Sequence, residues 1–161
     1  MKKFKFAFSL ILLVTLFVTQ TFCVWGEERE WYTLRETEES VELDLGIESK
    51  NDLEISPYTR YIVGASVIIR RPSEDEIWMR SEVYCSEVMS KITTVFTLQK
   101  KVGNSWVNVG EGSVSSSNDN SMYKSMEATG VSAGKYRCIA DTKVVSKTGY
   151  TETVSVVSST V

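Results

Sequence analysis

Residues 77–87, IWMRSEVYCSE, show the pattern from which the fold class is predicted, because apolar and polar side chains alternate along them. The odd-numbered positions are mostly apolar and the even-numbered positions mostly polar: Ile77, Met79, Val83 and Cys85 against Arg80, Glu82 and Ser86. A period of two residues is typical of a strand with one face in the core and the other in solvent. We therefore predict a half-buried strand here, with Cys85 pointing inward.

The residues on either side extend this pattern into a series of antiparallel strands. In residues 92–100 the inward positions are Ile92, Phe96 and Leu98, and Gly103-Asn104 then supplies the backbone freedom of a tight turn. Residues 106–109 return as the hairpin partner. Similar segments predict strands at 62–69, 122–128, 135–141 and 142–158, the last divided by a turn at 147–149. About seven short strands at this spacing predict an all-β protein in which two antiparallel sheets pack face to face.

One stretch differs in composition from the predicted strands on either side of it. Residues 110–121, GEGSVSSSNDNS, are rich in Ser, Asn and Gly, and this composition favours an exposed loop. The oxygen-bearing residues 118–120 are consecutive, so they do not converge on a cation as the alternating ligands of a calcium loop do. We predict neither a metal nor any other cofactor.

The N-terminus has the features of a secretory signal. Three lysines among the first five residues precede residues 6–18, which carry no charge and are almost all apolar. This run is shorter than the roughly 20 residues that a membrane-spanning helix needs. We predict a signal peptide at residues 1–26, with cleavage after Gly26, so that the membrane is contacted only before cleavage. Lipid attachment at Cys23 is the alternative, disfavoured by the bulky Phe22 before it.

The chain after the signal begins with an acidic arm, residues 27–57. Eleven acidic residues lie between positions 27 and 55 against only three basic ones, and apolar residues are sparse. We expect the arm to be largely disordered, with a strand-like patch at residues 41–45, or to order on binding a partner. Residues 58–161 form the predicted β-sandwich domain.

Charge and residue types exclude several function classes. Loss of the three signal lysines leaves the 21 acidic residues in clear excess, and the basic residues are scattered, so nucleic acid is not a predicted partner. The chain has no histidine, so neither a histidine-based catalytic site nor a zinc site is predicted. A glycosidase-type carboxylate pair is a distant alternative; the available acids are Glu74, Asp75, Glu76, Glu82, Glu87, Glu111 and Glu127.

Two cysteines, Cys85 and Cys138, follow the predicted signal. Export places them in an oxidising compartment, which predicts a disulfide between them. Two buried free thiols are the alternative, because cysteine packs well as a small hydrophobic residue.

Residues 132–138, SAGKYRC, resemble the D-x-G-x-Y-x-C signature of immunoglobulin-like domains. The resemblance implies that Tyr136 forms a tyrosine corner and that Cys85 and Cys138 are the inter-sheet pair. Segments 98–109, 134–137 and 151–153 are also similar to a family of short secreted Firmicutes proteins of unknown function. This second resemblance spans about residues 58–160 and implies an extracytoplasmic location and a fold, but no activity.

The remaining expectation is a secreted or cell-surface binding module without catalytic residues. Trp78 and Tyr84 alternate with the inward residues of their strand, and Trp106 lies beside the hairpin turn. These three aromatics are the candidate contact patch for an extracellular protein or glycan. The alternative for these aromatics is that they cover a sheet face. The alternative function is a structural or inhibitory protein that assembles by strand-edge pairing through residues 62–69.

Overall fold

The computed structural model describes residues 30–38, 49–52 and 59–161, and the regular structure there consists of strands. Their bounds are β1 Tyr32–Thr37, β2 Ser49–Asp52, β3 Ile62–Ser73, β4 Glu76–Val102, β5 Ser105–Thr129, β6 Tyr136–Val145 and β7 Thr151–Val157. No helix within these ranges could span a membrane. The predicted signal peptide and the strand-like patch at 41–45 lie outside the described residues.

A single long hairpin organises the fold. Strands β4 and β5 contain 27 and 25 residues and meet at Gly103-Asn104, where Gly103 has φ of 58° and Val102 pairs with Ser105. The pairing register shifts between Tyr84 and Met89, which breaks the ladder near the middle of both strands. A local irregularity of this kind bends a sheet.

The bend produces two layers that share the same two strands. In the first layer the start of β4 pairs with β3 and with the end of β5, and β2 extends β3. In the second layer the end of β4 pairs with the start of β5 and with β6, and β7 extends β6. All of these pairings are antiparallel. Strand β1 pairs with β5 in both layers, first at residues 110–111 and then at 125–128.

The two layers face each other across one core. Strand β3 of the first layer contacts β6 and β7 of the second. Gly112 in the first half of β5 lies against Met126 in its second half and against Leu34 of β1. Buried side chains from both layers therefore form a single hydrophobic cluster. The predicted all-β class is confirmed, and the pairings among β2–β7 are antiparallel, whereas β1 pairs with β5 in parallel. The two predicted sheets are continuous with each other because β4 and β5 run through both layers.

Several local predictions are confirmed by the burial pattern. All four inward residues predicted for 77–87 are buried, as are Ile92, Phe96 and Leu98. The Gly103-Asn104 hairpin is present, and β6 and β7 are separated by a turn that includes residues 147–149. Alternation and turn chemistry were sufficient here because both act within a few residues.

The prediction of an exposed loop at residues 110–121 is wrong. Residues 110–117 pair with β4 from Leu98 back to Lys91, and Val114 points into the core with 3% exposure. Serine suits the outer face of a strand when its partner strand supplies the hydrogen bonds. The composition is that of a loop, but the long-range pairing with β4 decides the structure.

The acidic arm contributes two strands, which differs from the expectation of little fixed structure. Residues 32–37 pair with β5, and residues 49–52 pair with Ser66–Ile69 of β3. Leu34 enters the core with 8% exposure, whereas Trp31 is 59% exposed. Because β2 and β4 both pair with residues 66–69, that part of the predicted edge 62–69 is not open. Assembly by strand-edge pairing stays an alternative prediction.

The predicted disulfide is not formed: both Cys85 and Cys138 are buried free thiols. Cys85 lies at the level of Val144 in β6. It pairs with Ile62, whose amide lies 3.4 Å from the Glu152 carboxylate, and Glu152 pairs with Val144. Cys138 lies six residues before Val144 on the same strand, roughly 20 Å away at about 3.3 Å per residue. A disulfide requires Cα atoms within about 7 Å, so the two thiols lie at different levels of the domain.

Candidate functional site

The outer face of the first layer carries two exposed tyrosines in contact with each other. Tyr84 of β4 and Tyr123 of β5 are 41% and 52% exposed, and their rings meet edge to face with centroids 5.4 Å apart. A side chain built at Gly64 would lie 3.2 Å from the Tyr84 ring, so this glycine lets the ring lie close over β3. We call the surface formed by Tyr84, Tyr123, Arg80 and Lys124 the tyrosine face.

The two phenols of this face are linked. A hydrogen bond with Tyr84 raises the pKa of Tyr123 to about 12, with smaller contributions from desolvation and from Glu82. The raised pKa keeps the Tyr123 hydroxyl neutral at physiological pH, and the edge-to-face contact leaves part of both rings accessible.

Charged residues of both signs surround the tyrosines. Arg80 pairs with Glu82 at 2.9 Å, and Lys124 of β5 pairs with Glu36 of β1 at 2.6 Å. Between these pairs lies a cavity of about 270 Å³, lined by Thr37, Glu38, Arg80, Tyr123, Lys124 and Ser125. The face therefore combines aromatic surface, hydrogen-bond donors and acceptors, and a shallow recess.

The expectation that Trp78 is an outward contact residue is wrong. It lies on the same side of β4 as Tyr84, but only 2% of it is exposed. The guanidinium groups of Arg70 and Arg80 flank its ring at 5.6 Å and 5.4 Å from the centroid. Arginine side chains can cover a large aromatic in this way, and the indole Nε1 has no hydrogen-bond partner. Trp78 therefore supports the outer face from below.

Trp106 lies on the other layer, near the tip of the β4–β5 hairpin. It is half-buried between Arg137, whose guanidinium is 4.4 Å from its ring centroid, and Lys101, whose Nζ is 5.1 Å away. Tyr84 and Trp106 thus belong to separate surfaces, and the three predicted aromatics do not form one patch. Tyr123 lies in the predicted strand 122–128, but no feature of the sequence marks it as a contact residue. The register that pairs Tyr123 with Glu82 would have revealed it.

A polar cluster near the start of β1 joins the arm to the domain. The Tyr136 hydroxyl donates to the carbonyl of Ser132 at 2.9 Å, four residues upstream, and the Tyr32 hydroxyl accepts the Ser132 amide at 3.1 Å. The Lys100 ammonium contacts the Ser132 hydroxyl and pairs with the Glu30 carboxylate at 2.6 Å. These bonds connect residue 30 to the turn before β6.

A serine beside a lysine is also the arrangement of a nucleophile and its base, so the protonation state of Lys100 matters. Its hydrogen bond with Glu30 raises the pKa of Lys100, which keeps the amine protonated at neutral pH. A protonated amine cannot accept the Ser132 proton. The cluster therefore has the chemistry of a structural ion pair.

The two thiols are also held in unreactive surroundings. Burial and the nearby Glu152 raise the pKa of Cys85 to about 11, and burial raises the pKa of Cys138 further. The thiolate is the reactive form of cysteine, so the raised pKa values keep both thiols mainly protonated at neutral pH. In the part of the chain that the structure describes, no three Cys, Asp or Glu residues are grouped to hold a metal ion.

The chain matches no protein-family model and no curated protein. Among solved structures it is similar to the GAE domain of GGA2p from Saccharomyces cerevisiae, at 13% sequence identity and a TM-score of 0.31. The alignment covers 67% of this chain and 93% of that chain. No statement about family, ligand or partner follows from similarity at this level.

Proposed function

We propose that this chain is an exported, non-catalytic binding module, and that its tyrosine face contacts an extracellular protein. The observation that carries the proposal is the exposed Tyr84–Tyr123 pair, whose rings meet at 86° beside a recess. Tyrosine and arginine are enriched in protein interfaces because they bury much surface at a low cost in conformational entropy. Here the rings are already positioned before any partner arrives.

The chemistry of the face favours a protein over a glycan. Sugars stack on open aromatic faces, whereas these two rings meet edge to face and partly cover each other. The flanking pairs Arg80–Glu82 and Lys124–Glu36 provide charges of both signs within a small area. Such mixed charge around an aromatic centre suits the varied polar groups of a protein surface.

The immunoglobulin-like character of the domain belongs to the same proposal. Its support is the bond from the Tyr136 hydroxyl to the Ser132 carbonyl, which has the geometry of a tyrosine corner. Export is supported by the basic residues and apolar run at the N-terminus. The absence of catalysis is supported by the raised pKa values of Lys100, Cys85 and Cys138, which keep these groups in their unreactive forms.

Photo-crosslinking tests the binding part of the proposal. A benzophenone amino acid is placed at position 84, 123 or 150 in the producing cells, and adducts are identified by mass spectrometry after irradiation. Tyr150 is a matched control, because it is also about half exposed but packs on Tyr61 at another site, 5.5 Å between ring centroids.

We expect the same protein adduct from positions 84 and 123 and none of it from position 150. Equal yields from all three positions, or no adduct from 84 and 123, would contradict the proposal. The mass of the secreted protein tests export separately, since cleavage after Gly26 predicts a chain that begins at Glu27.

A further inference from the structure

The second layer carries a different surface near the hairpin tip, formed by Gln99, Lys101, Trp106, Asn108 and Arg137, which we call the Trp106 surface. We propose that it binds the carboxylate groups of an acidic peptide segment. It lies on the opposite layer from the tyrosine face, so the two proposals hold or fail separately.

A hydrogen-bonded row fixes the direction of the polar groups. The amide oxygen of Gln99 accepts from Arg137 Nε at 2.7 Å, and its amide nitrogen donates to Asn108 Oδ1 at 2.7 Å. Gln99 is only 9% exposed, so it has a single orientation and links strands β4, β5 and β6. Because Asn108 uses its oxygen toward Gln99, its amide NH₂ is directed outward as a donor.

The remaining groups of the surface are also donors. Arg137 uses Nε for Gln99, which leaves its two terminal nitrogens for a ligand, and its guanidinium lies over Trp106. Lys101 is exposed and adds an ammonium on the same ring. Donors from three side chains therefore meet at one place, and a ligand that satisfies them must be an acceptor.

Within residues 30–38, 49–52 and 59–161, neither Lys101 nor Arg137 forms an ion pair. The ion pairs of the described residues join Arg80 to Glu82, Lys100 to Glu30 and Lys124 to Glu36, and none involves Lys101 or Arg137. By strand register the nearest acid on the same face is Glu111, which pairs with Thr97, two residues along β4 from Gln99. Two unpaired cations beside a tryptophan in an acidic protein give charge complementarity with an acidic ligand.

A carboxylate fits better than a sulfated or phosphorylated polymer. The terminal nitrogens of Arg137 form a planar fork that matches the two oxygens of a carboxylate, and the Trp106 ring holds this fork in place. A densely charged polymer gains its affinity from many cations along a track. Here the cations form one compact group, and the whole chain has a net charge of −3.

Titration of the purified protein with a capped hexaglutamate peptide tests the proposal. In ¹⁵N-resolved NMR spectra we expect the Trp106 indole and Arg137 Nε signals to shift with a common dissociation constant. Arg137→Gln should weaken binding about tenfold, the effect of losing a charge-assisted bidentate contact. Arg137→Lys should restore little, because lysine lacks the fork.

Lys143→Gln is the matched control, since Lys143 is an exposed cation six residues further along β6. It should change the dissociation constant less than twofold. Equal losses from Arg137→Gln and Lys143→Gln would show only general charge attraction and overturn the proposal. Stronger displacement of these signals by a sulfated oligosaccharide than by hexaglutamate would overturn it in favour of a sulfate site. Tyr84→Ala should leave hexaglutamate binding unchanged.

Discussion

Replacement of Gly112 by alanine tests whether the two halves of the β4–β5 hairpin pack face to face. A methyl group at this position would lie 2.9 Å from Leu34 Cβ and 2.8 Å from Met126 Sδ. Met126 can move its flexible end, but the Leu34 Cβ is fixed to β1, so the backbone must shift. Overpacking of this kind costs about 1–3 kcal/mol. The lower entropy of the unfolded chain returns about 0.4–1 kcal/mol, since φ of Gly112 is not positive.

We therefore expect Gly112→Ala to lower the free energy of unfolding by about 1–2 kcal/mol, measured by urea denaturation. Gly64→Ala is the control, because Gly64 also lies in a strand but a methyl group there would meet only Tyr84 side-chain atoms, the nearest at 3.2 Å, and a shift of a few tenths of an ångström relieves that contact. The control should be within about 0.5 kcal/mol of the wild type. If Gly112→Ala proves as stable as Gly64→Ala, the two halves of β5 do not pack as described.

Three further results are expected from the same structure. Tyr136→Phe removes the bond to Ser132 and should cost about 1–2 kcal/mol in urea denaturation, and an unchanged midpoint would count against this bond. Cys85 and Cys138 should resist iodoacetamide in the native protein at pH 8, and Cys85 should react as the pH approaches its pKa of about 11. Both should react after unfolding without a reductant. A mass increase of 2 Da on reduction would reveal a disulfide instead. The Glu30 pKa lies below its usual 4.5, so its ion pair stabilises the fold above that pH and is lost as the pH falls through the folded pKa. The free energy of unfolding should therefore fall less between neutral and acidic pH in Glu30→Gln than in the wild type, by less than about 0.5 kcal/mol, because solvent screens this exposed pair. A larger difference would show that the pair is not screened.

Local patterns predicted the parts of the fold that depend on neighbours in sequence. The alternation at 77–87 correctly placed Met79 and Val83 in the core, and Gly103-Asn104 correctly marked the hairpin. The predicted loop at 110–121 is wrong because the strand structure of residues 110–117 comes from pairing with residues 91–98. That pairing is invisible in composition.

The candidate site was only partly predictable for a related reason. Alternation correctly assigned Trp78 and Tyr84 to the outer side of β4, but exposure depends on what the neighbouring strand supplies. Arg70 pairs with Trp78 and covers it, whereas Gly64 pairs with Tyr84 and leaves its ring accessible. The register between β3 and β4 therefore decides which of these two aromatic side chains contacts solvent.

The affinity of this chain for the partner protein captured from position 123 shows whether the tyrosine face is the binding surface. The dissociation constant is measured by calorimetry with the wild type, Tyr84→Ala, Tyr123→Ala and Tyr150→Ala. We predict about tenfold or weaker binding for the first two variants, as for aromatic residues at the centre of an interface, and less than twofold change for Tyr150→Ala. Equal affinity across all four proteins, or a loss confined to Tyr150→Ala, would show that the tyrosine face is not the binding surface.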